Sequence, residues 1–221
     1  MVWEERHREV PPYPDYGLCN KWLAMKLKVW IKSRVADRAL APLRKELLEL
    51  IDHDSSLIEI GCGTGDLIFQ SAPIIRCGYG VDLDSDMIDY AEGKRRQKEL
   101  NHINFECINA LKLTNSKYDI ATSTLCLHEL CEQDACDLLK MMVNNSKKVL
   151  IADYTKAKSF SGKLGIELDE MLSGHYGYFK RYRMNGEIPS YASKIGATID
   201  RVLASTIDGI SIWVINGKVN A

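Results

Sequence analysis

Hydrophobic and polar positions change their rhythm three times along the chain. Pro11-Pro12-Tyr13-Pro14 cannot sit in a helix, because proline fixes φ and removes an N–H donor, and it predicts an extended arm. From 18 to 51 apolar residues recur at helical spacing (Leu23, Leu27, Ile31 and Val35, then Leu43, Leu47 and Leu50), with Pro42 separating two helices. The polar face carries Lys21, Lys26, Lys28, Lys32, Arg34 and Arg38. Such a face reads as solvated helix surface, the alternative being a dock for a macromolecule.

Short apolar runs then alternate with helix-compatible stretches. Strands are predicted at 56–60, 77–83, 103–108, 118–124 and 148–153, and helices at 67–72, 87–100 and 132–144. Strand, helix, strand repetition means parallel strands covered on both faces. After Asp153 a Gly- and Tyr-rich stretch at 159–183 leads to a helix near 188–194. Two runs at 199–205 and 210–215, around Asp208-Gly209, predict a hairpin at one sheet edge. The expected architecture is α/β: a doubly wound, mostly parallel seven-stranded sheet with an antiparallel C-terminal hairpin and an N-terminal helical lid. Residues 1–53 form the arm and lid, and 54–221 the sheet domain, with a cap at 156–196.

Composition narrows the partners. The 221 residues suffice for one full-sized domain, and 46% hydrophobic with 27% charged is ordinary for a globular chain. Twenty-nine basic residues against thirty acidic ones give a formal charge of -1, so no global field draws the chain to nucleic acid or an anionic membrane. No apolar run approaches the roughly 20 residues that span a bilayer. The start Met1-Val2-Trp3-Glu4-Glu5-Arg6 lacks a signal peptide's apolar centre, so a cytoplasmic place is expected. Cys19, Cys62, Cys77, Cys107, Cys126, Cys131 and Cys136 lack the paired spacing of zinc or redox sites and read as reduced, mostly buried thiols; no metal is expected.

The most informative stretch is Glu59-Ile60-Gly61-Cys62-Gly63-Thr64-Gly65-Asp66, a strand entering a glycine-rich turn that opens a helix. Alternate glycines let the backbone turn sharply and approach a ligand closely. A dinucleotide pattern would place its third glycine where Asp66 stands, and Glu59 lies two residues before the first glycine. Carboxylates at this mouth repel a pyrophosphate, while the turn's N–H groups still suit one small carboxylate. The ligand implied combines an anionic group with cationic ones, a pattern found in S-adenosylmethionine. Asp82, 21 positions after Gly61, matches the offset at which an acid reaches ribose hydroxyls beside such a turn. Asp84 or Ser85 caps the next helix. Met87 lies either on adenine or in the core.

At these residues the chain resembles the class I S-adenosylmethionine-dependent methyltransferases of small-molecule type, a likeness running from about Ser56 to Tyr154. The resemblance implies a Rossmann-like methyltransferase fold with S-adenosyl-L-methionine as cofactor. It implies that Glu59, Gly61, Cys62, Gly63 and Gly65 hold the methionine part and that Asp82, with Leu83, holds the ribose side. It further implies that Asn109, with Ala110, faces the adenine, where the family more often has Asp, and that the segment holding Ser123 passes under the sulfonium. The cap, with His175-Tyr176, Phe179 and Tyr182, is similar to that of small-molecule members.

Methyl transfer is an in-line displacement at an activated carbon, so alignment and exclusion of water matter most. A base is needed only where the acceptor loses a proton as it attacks. His128 and His175 are the candidates, with Glu129, Tyr154 and Tyr176 behind them. Cys126 lacks the Pro-Cys setting of a cytosine-methylating nucleophile. The leading expectation is transfer to a small molecule. The alternatives are a protein or nucleic acid docked on the basic N-terminal helix, or a cofactor-binding regulatory subunit without turnover. Asp66 argues against a nicotinamide oxidoreductase. The acceptor, the methylated atom and the oligomeric state leave no mark in the sequence.

Overall fold

The computed structural model describes residues 37–113, 117–159, 167, 174 and 176–219. The Pro-rich arm, the basic residues from Lys21 to Arg34 and the candidate base His175 lie outside the described residues. Of the expected lid, a turn at Asp37–Ala39 and helix α1 (Ala41–Leu48) lie within them. Pro42 sits in the first turn of α1, where its missing N–H costs nothing.

The elements follow in the order β1 (Ser56–Ile60), α2 (Asp66–Ser71), β2 (Cys77–Asp82), α3 (Ser85–Gln97), β3 (Ile103–Cys107), β4 (Tyr118–Thr124), α4 (Glu132–Asn145) and β5 (Ser146–Tyr154). Then come α5 (Tyr176–Met184), α6 (Glu187–Lys194), β6 (Ile199–Ala204) and β7 (Ile210–Asn216). They build a seven-stranded sheet of order β3-β2-β1-β4-β5-β7-β6. β1 pairs parallel with β2 and β4, β2 with β3, and β4 with β5, while β7 runs antiparallel between β5 and β6. This is the expected doubly wound sheet with its C-terminal hairpin.

Every residue of β1 is buried, as befits a strand covered on both faces. α4 turns Ala135, Leu138, Leu139, Met142 and Val143 inward at helical spacing. At the amino ends of the strands, Asp119 Oδ2 accepts from Ser56 N, Ser56 Oγ and Arg76 Nη2, each at 2.8 Å. These donors hold its carboxyl well below the usual carboxylate range and pin β4 to β1. The other end of the sheet stays available for ligands: strand order reverses between β1 and β4, and open α/β sheets bind at the carboxyl ends beside such a reversal.

Two local differences from the sequence reading have physical causes. α3 starts at Ser85 because Asp84 Oδ1 accepts from the N–H groups of Asp86 (3.0 Å) and Met87 (3.4 Å), and it stops at Gln97 ahead of the left-handed Glu99 (φ 54°). α5 forms within the stretch read only as Gly- and Tyr-rich. Phe179 and Tyr182, three apart, are buried on one face, while Lys180, Arg181 and Arg183 stay exposed.

Candidate active site

β1 delivers the chain into the glycine bend at the carboxyl edge of the sheet. Gly61 N and Cys62 N both donate to Val81 O (2.9 and 3.1 Å), which ties the start of the bend to β2. Gly65 has φ +72° and must be glycine on a second count, since a Cβ there would lie 2.4 Å from the Phe105 ring. Gly63 differs. Its φ is +53°, and a Cβ added there meets nothing within 4 Å, so the bend presents bare backbone to open space at this point. A ligand could come into contact with the chain here.

Carboxylates surround that opening. Asp82, at the end of β2, accepts from Gly63 N through Oδ2 (2.8 Å) and from Asp84 N through Oδ1 (2.9 Å). Glu59 is 1% exposed, and neither of its oxygens has a hydrogen-bond partner among the described residues. Burial pushes its carboxyl up to about 8; Arg44 opposes this, and Asp66, Asp82 and Asp37 add to it. Thr64 Oγ1, on the bend, donates to Asp37 Oδ2 at 2.8 Å. The sequence reading missed Asp37 and Arg44. The available signal was Arg44 sitting between Leu43 and Leu47, on the face that α1 buries.

The other expected cofactor residues divide by position. Leu83 is largely exposed beside Asp82, and Asn109 Oδ1 accepts from Leu111 N (2.9 Å), capping a 3-10 turn that begins at the buried Ala110. Those three lie along the ends of β2 and β3. Cys62 points inward, its Sγ 2.9 Å from where a Cβ on Gly80 would stand, so only its backbone faces the bend. Met87 is 1% exposed and packs as a buried residue of α3. Ser123 is buried within β4 and donates its hydroxyl to Ile60 O (3.0 Å). Burial and nearby carboxylates hold the Cys62 and Cys126 thiols well above the ordinary thiol value, unlike an activated nucleophile.

His128 lies in a 3-10 turn (Leu127–Glu129) just beyond β4, and Asp153 is the penultimate residue of β5. Both are buried. His128 Nδ1 is 2.5 Å from Asp153 Oδ1, and Asp153 Oδ2 accepts from Leu127 N (3.1 Å) and His128 N (3.3 Å). One carboxylate therefore fixes both the turn and the imbidazole it carries. The ring packs 4.7 Å from Tyr154 and 6.1 Å, edge-on, from Phe179 of α5, centroid to centroid. Tyr182 donates its hydroxyl to Tyr154 O (2.8 Å). Asp153 was not foreseen, since 25 residues separate it from its partner.

Comparison with known proteins bears on this geometry. Residues 51–174, over half of the chain, match the methyltransferase domain family. A ribosomal protein L11 methyltransferase of Clostridium botulinum (strain Eklund 17B / Type B) is 28% identical over 123 residues, 55% of this chain and 39% of that protein. The chain thus spans about two fifths of that relative. A methyltransferase from Aquifex aeolicus superposes with a TM-score of 0.60 at 14% identity, covering 86% of this chain and 97% of the other. Magnesium protoporphyrin IX methyltransferase from Synechocystis PCC 6803, solved with bound S-adenosylhomocysteine, gives 0.60 at 14% identity over 90% and 94%. At such identities the structural likeness speaks for the fold. The chain belongs to the methyltransferase domain family and shares the fold of S-adenosylmethionine-dependent methyltransferases.

Proposed function

We propose that the chain transfers the methyl group of S-adenosylmethionine to a small-molecule acceptor held beneath α5, beside His128. The observation that carries this reading is the buried His128–Asp153 pair, set at the carboxyl ends of β4 and β5 and walled by Tyr154 and Phe179. An enclosed aromatic wall suits a small, partly apolar acceptor better than a macromolecular surface.

The residues fit the cofactor: bare backbone at Gly63, a buried carboxyl at Glu59 without a hydrogen-bond partner among the described residues, and Asp82 at the end of β2. When bound, S-adenosylmethionine supplies a methyl group on a positive sulfur. Glu59, Gly61, Gly63, Gly65 and the Cys62 backbone hold the amino-acid side; Asp82 and Leu83 hold the ribose side, and Asn109 and Ala110 the adenine. The segment through Ser123 forms the floor. With Nδ1–H donated to Asp153, the basic nitrogen of His128 is Nε2, which takes the proton of an acceptor hydroxyl or amine. His175 remains a second candidate base in the 156–196 cap, and of the 1–53 lid Asp37 meets the glycine bend through Thr64.

Among the described residues no helix is long and apolar enough to cross a membrane, and no cluster of three or more His, Cys, Asp or Glu could hold a metal. The six described cysteines are free, which supports a reducing, cytoplasmic setting. A second reading, a protein acceptor, draws on the ribosomal protein methyltransferase relative. Radiolabelled S-adenosylmethionine incubated with fractionated cell extract separates the readings. Label in the low-molecular-weight fraction is expected; label confined to protein or RNA would overturn the small-molecule reading, and binding without transfer to any fraction would point to a regulatory subunit.

A further inference from the structure

Arg44 and Glu59 form an incomplete pair. They are 7% and 1% exposed, yet Arg44 Nη1 stands 3.7 Å from Glu59 Oε1. Arg44 Nε and Nη1 and both Glu59 oxygens lack hydrogen-bond partners among the described residues. Asp66 does not complete the set: its Oδ2 lies 3.9 Å from Arg44 Nε and accepts from Gln70 Nε2 at 2.7 Å. Buried polar side chains are seldom left this way, because each loses its water and gains only a distant contact, not a hydrogen bond, in return. A guanidinium and a carboxyl too far apart to bond each other leave donors on one side and acceptors on the other. A zwitterion satisfies both at once.

We propose that Arg44 is a cofactor-binding residue, its guanidinium taking the carboxylate of the cofactor's amino-acid head while Glu59 takes the ammonium. The inference rests on the cofactor reading above and adds to it a residue from the lid. Arg44 is placed for this by α1, which buries it between Leu43 and Leu47 instead of turning it to solvent. Asp37, in the turn before α1, receives the Thr64 hydroxyl of the glycine bend, so the segment carrying Arg44 is joined to the bend by a second contact. The unliganded Glu59 carboxyl, raised to about 8 by burial, is ready to lose its proton to solvent when an ammonium arrives. The competing account is an ion pair that merely packs α1 on β1; it predicts no sensitivity to which end of the ligand is altered.

The test compares S-adenosylmethionine with its decarboxylated form, which keeps the amine and the sulfonium, by calorimetric titration of the full chain. The unmodified protein should prefer the carboxylated compound by about tenfold to a hundredfold, the range for a charge-assisted hydrogen bond. Arg44→Gln should remove that preference by weakening the carboxylated compound, with no matching loss for the decarboxylated one. Arg44→Lys keeps the buried charge but not the two-pronged fork, and serves if Arg44→Gln does not fold; the preference should again shrink severalfold. Retention of the full preference in either variant, or an equal loss for both compounds, overturns the role. An unmodified protein that binds neither compound overturns the cofactor reading itself, a different outcome from the other two.

Discussion

Gly63 donates its backbone N–H to Asp82 Oδ2 at 2.8 Å, so the carboxylate at the end of β2 braces the bend at the end of β1. Its other oxygen is held by Asp84 N at 2.9 Å. Both oxygens are therefore in place before any ligand arrives, which lowers the ordering cost of binding. Asp82→Ala removes the brace and, with it, the proposed ribose contact. It should weaken S-adenosylhomocysteine binding by about 1 to 3 kcal/mol in a titration; a change only in acceptor KM would place Asp82 elsewhere.

Gly63 and Gly65 should respond to substitution in opposite ways. The Cβ of Gly63→Val meets no protein atom within 4 Å, leaving its left-handed φ, about 1 to 2 kcal/mol, as the main cost, so the fold should survive while cofactor binding is lost. Gly65→Ala drives a methyl group to within 2.4 Å of the Phe105 ring and should lower the urea midpoint as its first effect. Equal losses of stability in the two variants would contradict the assignment of Gly63 to the ligand side.

Glu59 gives a pH signature. Its carboxyl lies at 4.5 when unfolded and is raised to about 8 by burial in the folded chain. The folded state therefore binds the proton more tightly than the unfolded state. That contribution is complete below pH 4.5 and is lost as pH rises towards 8. Thermal melts of the ligand-free protein should show Tm falling across this window, and Glu59→Gln should flatten the fall. A slope unchanged by Glu59→Gln would assign it to other groups.

The His128–Asp153 pair separates orientation from binding. Asp153→Asn should lower kcat for methyl transfer and leave cofactor affinity unchanged, and nitrogen NMR of the imidazole should show the Nδ1–H tautomer of the unmodified protein giving way to a mixture. Asp153→Ala removes the acceptor of His128 Nδ1 and of the Leu127 and His128 N–H groups, and should cost about 3 to 5 kcal/mol in urea unfolding. A variant with normal kcat would remove His128 from the chemistry.

The sheet was legible because parallel strands buried on both faces leave short apolar runs, and 118–124 and 56–60 were read to the residue. Gly63 and Asp82 were legible because one turn geometry fixes their separation along the chain. α5 was not: Gly177 in its first turn and three tyrosines obscure a helix whose only inward signals are Phe179 and Tyr182. Arg44 was hidden in Ala41–Leu48, which reads as an ordinary amphipathic helix until β1 is packed beside it. Asp153 and His128 meet only because β4 and β5 are neighbours, a relationship that no local spacing records.

The central claim is that the acid-flanked glycine bend holds a positively charged, zwitterionic nucleoside and not a diphosphate. Calorimetric titration of the purified chain with S-adenosylhomocysteine and, separately, with a nicotinamide dinucleotide addresses it directly. Micromolar binding of the first and none of the second is predicted; binding of the dinucleotide, or of neither, would contradict it.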